Sequence, residues 1–119
     1  MSKKVSMEHY LGINQRRKMN CAQAVMAGFT DKFSIGEDAL ASLASCGGGR
    51  APHGKCGALH AAEQILIERI PEKVIKLNEI FLDAAGSSRC MEIKALKKLS
   101  CMGCVEKAAG FLDSMEMET

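Results

Sequence analysis

Six cysteines, Cys21, Cys46, Cys56, Cys90, Cys101 and Cys104, are the residues of this chain best suited to chemistry. A thiolate ligates soft metals and attacks disulfides, so the set points to metal or redox work. The stretch Gly54-Lys55-Cys56-Gly57-Ala58-Leu59-His60 sits at its centre, placing Cys56 between a glycine-rich loop and an apolar helical run. The cysteines are too sparse for a disulfide scaffold. The lysines near the N-terminus have no apolar segment behind them, so no signal peptide is expected. The expected compartment is a reducing cytoplasm, where thiols stay reduced or hold metal.

Cys21, Cys56, Cys90 and Cys104 each fall in the predicted first turn of a helix. Backbone N–H groups lack partners there and the helix dipole is positive, and both favour thiolate over thiol. Four such thiols from four helices can converge on one centre at an end of the bundle. Cys46 and Cys101 are further candidate ligands. Cys101-Met102-Gly103-Cys104 is a CxxC followed by Val105. That excludes c-type haem attachment, and a second CxxC for a zinc ribbon is missing.

Gly47, Gly48 and Gly49 are read as backbone donors to the sulfurs of Cys46 and Cys56, and Gly57 as a further residue contacting the cofactor. Gly49 to Cys56 nearly spells a phosphate-binding loop. Its last position is Cys rather than Ser or Thr, and helix rather than strand precedes it, so nucleotide hydrolysis is not expected. His60, one turn after Cys56, is a candidate ligand or proton acceptor, or a polar residue satisfied by a carbonyl. His53 lies in the glycine loop, and His9 reads as surface.

The elements that must position these residues are helices. Residues 5 to 18 read as a short polar helical segment. Asn20 is an expected N-cap, followed by a helix with Val25 and Phe29 on its apolar face. Ser34 to Glu37 reads as a capping box opening a second helix that stops at the three glycines. A helix from about Cys56 carries Leu59, Ala62, Leu66 and Ile70 inward. Pro71 opens the next, with Leu77 and Phe81 inward and Gly86 as its stop. Ser87 and Ser88 are expected to cap a short helix from Cys90, with Met91, Leu96 and Leu99 as its apolar positions. Ser100 or Gly103 caps a last helix bearing Val105, Ala108, Ala109 and Leu112, and the tail from Ser114 is expected to fray. Strict two-residue alternation is missing throughout. The expected fold is all-α, an irregular bundle of five to seven short helices forming one domain over residues 1–119.

A net charge of +2 and a pI near 8.2 give no basic face for nucleic acid, and 4% aromatic residues give no base-stacking platform. No apolar run approaches the ~20 residues of a membrane span. A homodimer is permitted but not required.

Asn20-Cys21-Ala22-Gln23-Ala24-Val25, then Gly47-Gly48-Gly49, then Cys56-Gly57-Ala58, then Cys90, then Cys104-Val105 resemble the C_GCAxxG_C_C family, named for redox activity. The resemblance covers residues 20 to 112. It implies a helical domain whose four characteristic cysteines are Cys21, Cys56, Cys90 and Cys104. A related domain precedes the haem part of split-Soret cytochromes c, where its cysteines accompany an iron–sulfur cluster. The haem motifs are missing here, so only the cluster carries over. The glycine that ends the family's CGAxxG stretch is Ala61 in this chain.

The leading expectation is a small redox protein whose four helix-start cysteines hold an iron–sulfur cluster for electron transfer with a partner protein. Two alternatives stand beside it. One is metal-free thiol–disulfide chemistry through Cys101 and Cys104, or Cys46 and Cys56. The other is a structural zinc site. In the leading case the four cysteines lie together at one end of the bundle, beneath the loop from Gly47 to Gly54.

Overall fold

The computed structural model describes residues 2–47 and 50–115. The chain forms α1 (Ser2–Leu11), α2 (Cys21–Ala27), α3 (Glu37–Ala41), α4 (Gly57–Arg69), α5 (Val74–Ala85), α6 (Cys90–Leu96) and α7 (Cys101–Asp113). Single 3₁₀ turns at Pro52–Gly54 and Pro71–Lys73 precede α4 and α5. Among the described residues the only β pairing is an isolated bridge between Lys55 and Arg89. The fold is an irregular all-α bundle.

Helix α4 is its centre, packing against α2, α5 and α7. Ala58, Leu59, Ala62 and Leu66 are fully buried on it, and the alanines let neighbouring helices approach closely. Phe81 of α5, Leu112 of α7 and Phe29 beyond α2 complete the core. Phe29 and Phe33 meet at a ring separation of 6.0 Å and an angle of 51°. Such a tilted pair adds about 1 kcal/mol beyond area burial. Helix α1 lies across α2 and α7, and Ser6, buried on it, donates to the Val25 carbonyl.

Local signals set most helix ends. The Asn20 side chain accepts from the Gln23 N–H at 2.8 Å and starts α2. Its amide also donates to the Leu43 and Ala44 carbonyls at 3.1 and 3.0 Å, tying the end of the α3 region to the start of α2. Ser100 accepts from the Gly103 N–H at 2.9 Å and starts α7. Gly86, at φ 86°, stops α5 in the left-handed conformation that glycine adopts without a Cβ penalty.

Three local expectations are corrected. The Ser34 to Glu37 capping box does not form, because Ser34 has φ 53° and Gly36 occupies the cap position. The Ile35 N–H is instead spent on the Thr30 carbonyl in a competing turn. Ser87 does not cap α6; Arg89 holds that position, while Ser87 accepts from the Arg89 N–H and donates to Glu92. Met91 and Leu96 face solvent, and Ile93 is the apolar side chain that α6 buries. The end of the tail, residues 116–119, and Gly48 and Gly49 lie outside the described residues.

Candidate redox site

Five cysteine side chains, Cys21, Cys56, Cys90, Cys101 and Cys104, line one cavity of about 630 Å³. Each is delivered by the start of a helix. Cys21 is the first residue of α2, Cys56 the N-cap of α4, and Cys90 the first residue of α6. Cys101 is the first residue of α7, and Cys104 follows one turn later on the same face. The CxxC therefore presents both thiols to the cavity, Cys101 exposed and Cys104 buried. The N–H of Cys104 is already bonded to the Ser100 carbonyl, so the open start of α7 belongs to Cys101.

Two backbone contacts hold the helix starts together. The Cys56 N–H donates to the Ser88 carbonyl at 2.7 Å, beside the Lys55–Arg89 bridge. This fixes the entry to α4 against the entry to α6, and so Cys56 near Cys90. Gly57 fixes α4 against α2. A Cβ on Gly57 would lie 2.6 Å from the Cys46 carbonyl oxygen and 2.7 Å from the Cys21 sulfur. Only a residue without a side chain permits that approach. Gly47 plays a similar part against Asn20, where a Cβ would meet the Asn20 Cβ at 2.8 Å.

The spacing of the matching segments over residues 19–115 fits the family described as "Putative redox-active protein (C_GCAxxG_C_C)". The chain belongs to the C_GCAxxG_C_C family. No curated protein and no solved structure matches it. In family terms, the first glycine of CGAxxG is the close-approach residue Gly57. The last is Ala61, which is fully buried in the α4 core and so finds room for its methyl group.

Cys46 and the histidines of this family member lie elsewhere. Cys46 and His60 line a separate cavity of about 440 Å³ between α3 and α4. The His60 N–H bonds the Cys56 carbonyl at 2.9 Å, yet the two residues line different cavities, because Cys56, at ψ 129°, is a cap outside helical geometry. Burial, with the Lys55 charge second, lowers the His60 pKa, which favours the neutral imidazole. His53 is exposed at φ 63° in the 3₁₀ turn before Lys55. His9 bonds the Arg17 carbonyl at 2.8 Å.

The thiols of the cavity are unequal. Cys104 donates toward the Cys56 sulfur, and this interaction chiefly lowers the Cys56 thiol to about 7 despite its burial. The Leu59 and Ala58 N–H groups add to the effect, although the side chain makes no full capping hydrogen bond. The same contact pushes the Cys104 thiol up, since its proton is the one held between the two sulfurs. Burial raises Cys90. In reduced, metal-free protein, alkylation of Cys56 by a small reagent should become half-maximal near pH 7, because the thiolate forms above its pKa. Cys104 should remain protected there. Peptide mapping after graded-pH alkylation checks this. A Cys56 rate that rises only above the ordinary thiol value of ~8.5 contradicts it.

Sequence reasoning missed the cavity's polar partners. Tyr10 of α1 reaches in, and its hydroxyl interacts with Cys101; burial chiefly raises its pKa. Lys18, Lys94 and Lys97 line the same cavity. The spacing of Lys94 and Lys97 along α6 carries no signal of what α7 and the α1–α2 connection bring opposite them.

Among the described residues the candidate donors in the cavity are five thiols, with no carboxylate or imidazole beside them. That donor set fits a soft metal centre with thiolate ligands. Among the described residues no three candidate donors are gathered tightly enough to hold a single metal ion. No helix among them is long and apolar enough to cross a membrane.

Proposed function

We propose that the cavity holds an iron–sulfur cluster on Cys21, Cys56, Cys90 and Cys104, and that the protein transfers electrons to a partner protein in the cytoplasm. The observation that carries this reading is the convergence of five thiols from four helix starts on one cavity. A bridged cluster spreads its ligands more widely than one ion does. Zinc would need four donors at about 2.3 Å from a single point, and among the described residues no such closed group supports that alternative.

The cluster would supply one-electron chemistry when bound. The chain's own residues do the rest. Cys56 enters as thiolate near neutral pH, so it needs the least proton release on ligation. Gly57 holds Cys21 and Cys56 in register. Lys18, Lys94 and Lys97 offset the negative charge that several thiolates bring together. Gly47 and Gly57 support the site by close packing, while Gly48 and Gly49 remain candidate donors to sulfur and His60 a candidate for the outer surroundings.

A second reading is favoured by one contact. The Cys56 and Cys104 sulfurs interact directly, so a reversible disulfide between them is the metal-free alternative. Purification without air separates the readings. The cluster reading predicts brown protein with visible absorbance and no stoichiometric zinc. Colourless protein containing neither iron nor zinc, with one disulfide formed on mild oxidation, would replace it with thiol–disulfide chemistry.

A further inference from the structure

The cavity that gathers the thiols also gathers positive charge. Lys18, Lys94 and Lys97 line it, and among the described residues no aspartate or glutamate does. Lys18 is held in place by the Tyr10 carbonyl at 3.3 Å and the Tyr10 ring at 5.8 Å. Lys94 and Lys97 form no ion pair among the described residues. Lys97 is placed at the cavity at an energetic cost. It ends α6 at φ 58°, a left-handed conformation unfavourable for a side-chain-bearing residue by about 1 kcal/mol. Cys101, exposed on the same cavity, is the thiol nearest solvent and is not among the four proposed cluster ligands. A volume of about 630 Å³ lies within the usual range for small-molecule sites.

From this combination of thiols and uncompensated cations we infer that the cavity binds small anionic disulfides, with carboxylates on Lys94 and Lys97 and the sulfur–sulfur bond against Cys101. The Cys101 thiolate attacks one sulfur of the ligand. A bond forms between Cys101 Sγ and that sulfur, the original sulfur–sulfur bond breaks, and the departing thiolate takes the proton that Cys101 gave to solvent. One protein thiol and one disulfide become one mixed disulfide and one small thiol. The incoming disulfide is the oxidant, and none other is required. Cys101 is outside the proposed ligand set, but the cavity and its lysines are shared with the cluster, so it is the cluster-free form of the protein that binds the anion.

The test uses reduced, metal-free, full-length protein and three probes that differ in charge: dithiodiglycolate (a dianion), hydroxyethyl disulfide (neutral) and cystamine (a dication). The rate of mixed-disulfide formation at Cys101 is read by intact mass and peptide mapping, and each rate is divided by that of the same probe with free cysteine. The dianion should be favoured over the neutral probe by about tenfold, and the dication disfavoured, as cationic clefts favour anions. Added salt should weaken the preference. A Lys94→Gln, Lys97→Gly variant should abolish it without loss of folding, since glycine relieves the backbone at residue 97. Equal normalised rates for the three probes would overturn the inference. So would a preference that survives the double substitution, or first capture at a cysteine other than Cys101. Such a failure would leave the cluster reading untouched, because that is decided by bound iron and sulfide.

Discussion

Replacing Gly57 with alanine should destabilise the reduced, metal-free protein by about 3 kcal/mol, the upper end for inserting one methyl group into a packed interior. The new Cβ would meet the Cys46 carbonyl oxygen at 2.6 Å and the Cys21 sulfur at 2.7 Å. The first is backbone and cannot swing aside as a flexible side chain does. Relief requires the Cys46 backbone to move away from the start of α4 and the Cys21 sulfur to turn aside, which disturbs Cys21 beside Cys56. Urea denaturation measures the loss, and the Cys56 alkylation profile reports the site. Ala61→Gly is the informative comparison. It restores the family glycine in the same helix and should lose only about 1 kcal/mol of helix propensity, plus the burial of one methyl group. A Gly57→Ala variant as stable as wild type would show that the start of α4 is not held against Cys46 and Cys21 by this contact.

Glu63→Gln should cost about 3 kcal/mol by a different route. Glu63 is 6% exposed, an unusual burial for a carboxylate. It pairs with Lys55 and accepts from the Asn78 amide at 2.8 Å. Lys55 immediately precedes Cys56 and bridges Arg89, so this ion pair anchors the entry to α4 from below. Removing one charge of a buried pair leaves the other without compensation, which typically costs about 3–5 kcal/mol. The lower value applies because the Lys55 side chain keeps 28% of its exposure and can turn to water. A Lys55→Met, Glu63→Leu double variant should recover most of the loss, since neither charge then remains buried. Urea denaturation of the three variants checks the cycle. A Glu63→Gln change within about 0.5 kcal/mol of wild type, as for an ordinary surface site, would deny the pair its anchoring role.

The parts of the fold legible in the sequence are those set by neighbours along the chain. Asn20 and Ser100 cap their helices as read, because a cap bonds an N–H only three residues away. Gly86 stops α5 for an equally local reason. The inward faces of α4 and α7 follow from apolar spacing over thirteen residues each. Helix α6 is only seven residues long, too short for periodicity to tell Ile93 from Met91. The Ser34 capping box failed because a turn fixed by Phe29 and Thr30 took the chain through the left-handed region first. At the site, Cys21, Cys56, Cys90 and Cys104 line one cavity, each carried there by the first turn of a helix, and their role as ligands is the proposal made above. The true start of α7 is Cys101, a shift of one turn that brings a fifth thiol in. His60 does follow Cys56 by one turn, but as the cap residue Cys56 lines the thiol cavity while His60 lines the one between α3 and α4. Tyr10, Lys94 and Lys97 could not be foreseen, since only tertiary packing brings them to the thiols.

The central claim is that these thiols hold a cluster. The most direct measurement is iron and acid-labile sulfide per chain after anaerobic reconstitution, made in parallel on wild type, Cys46→Ser and Cys56→Ser. Circular dichroism confirms that each is folded. The account predicts matching amounts of iron and sulfide, with visible absorbance, in wild type and in Cys46→Ser, whose sulfur lines a different cavity. It predicts loss of both in Cys56→Ser. Wild-type protein that takes up neither iron nor sulfide, or a Cys56→Ser variant that loads as fully as wild type, would contradict it.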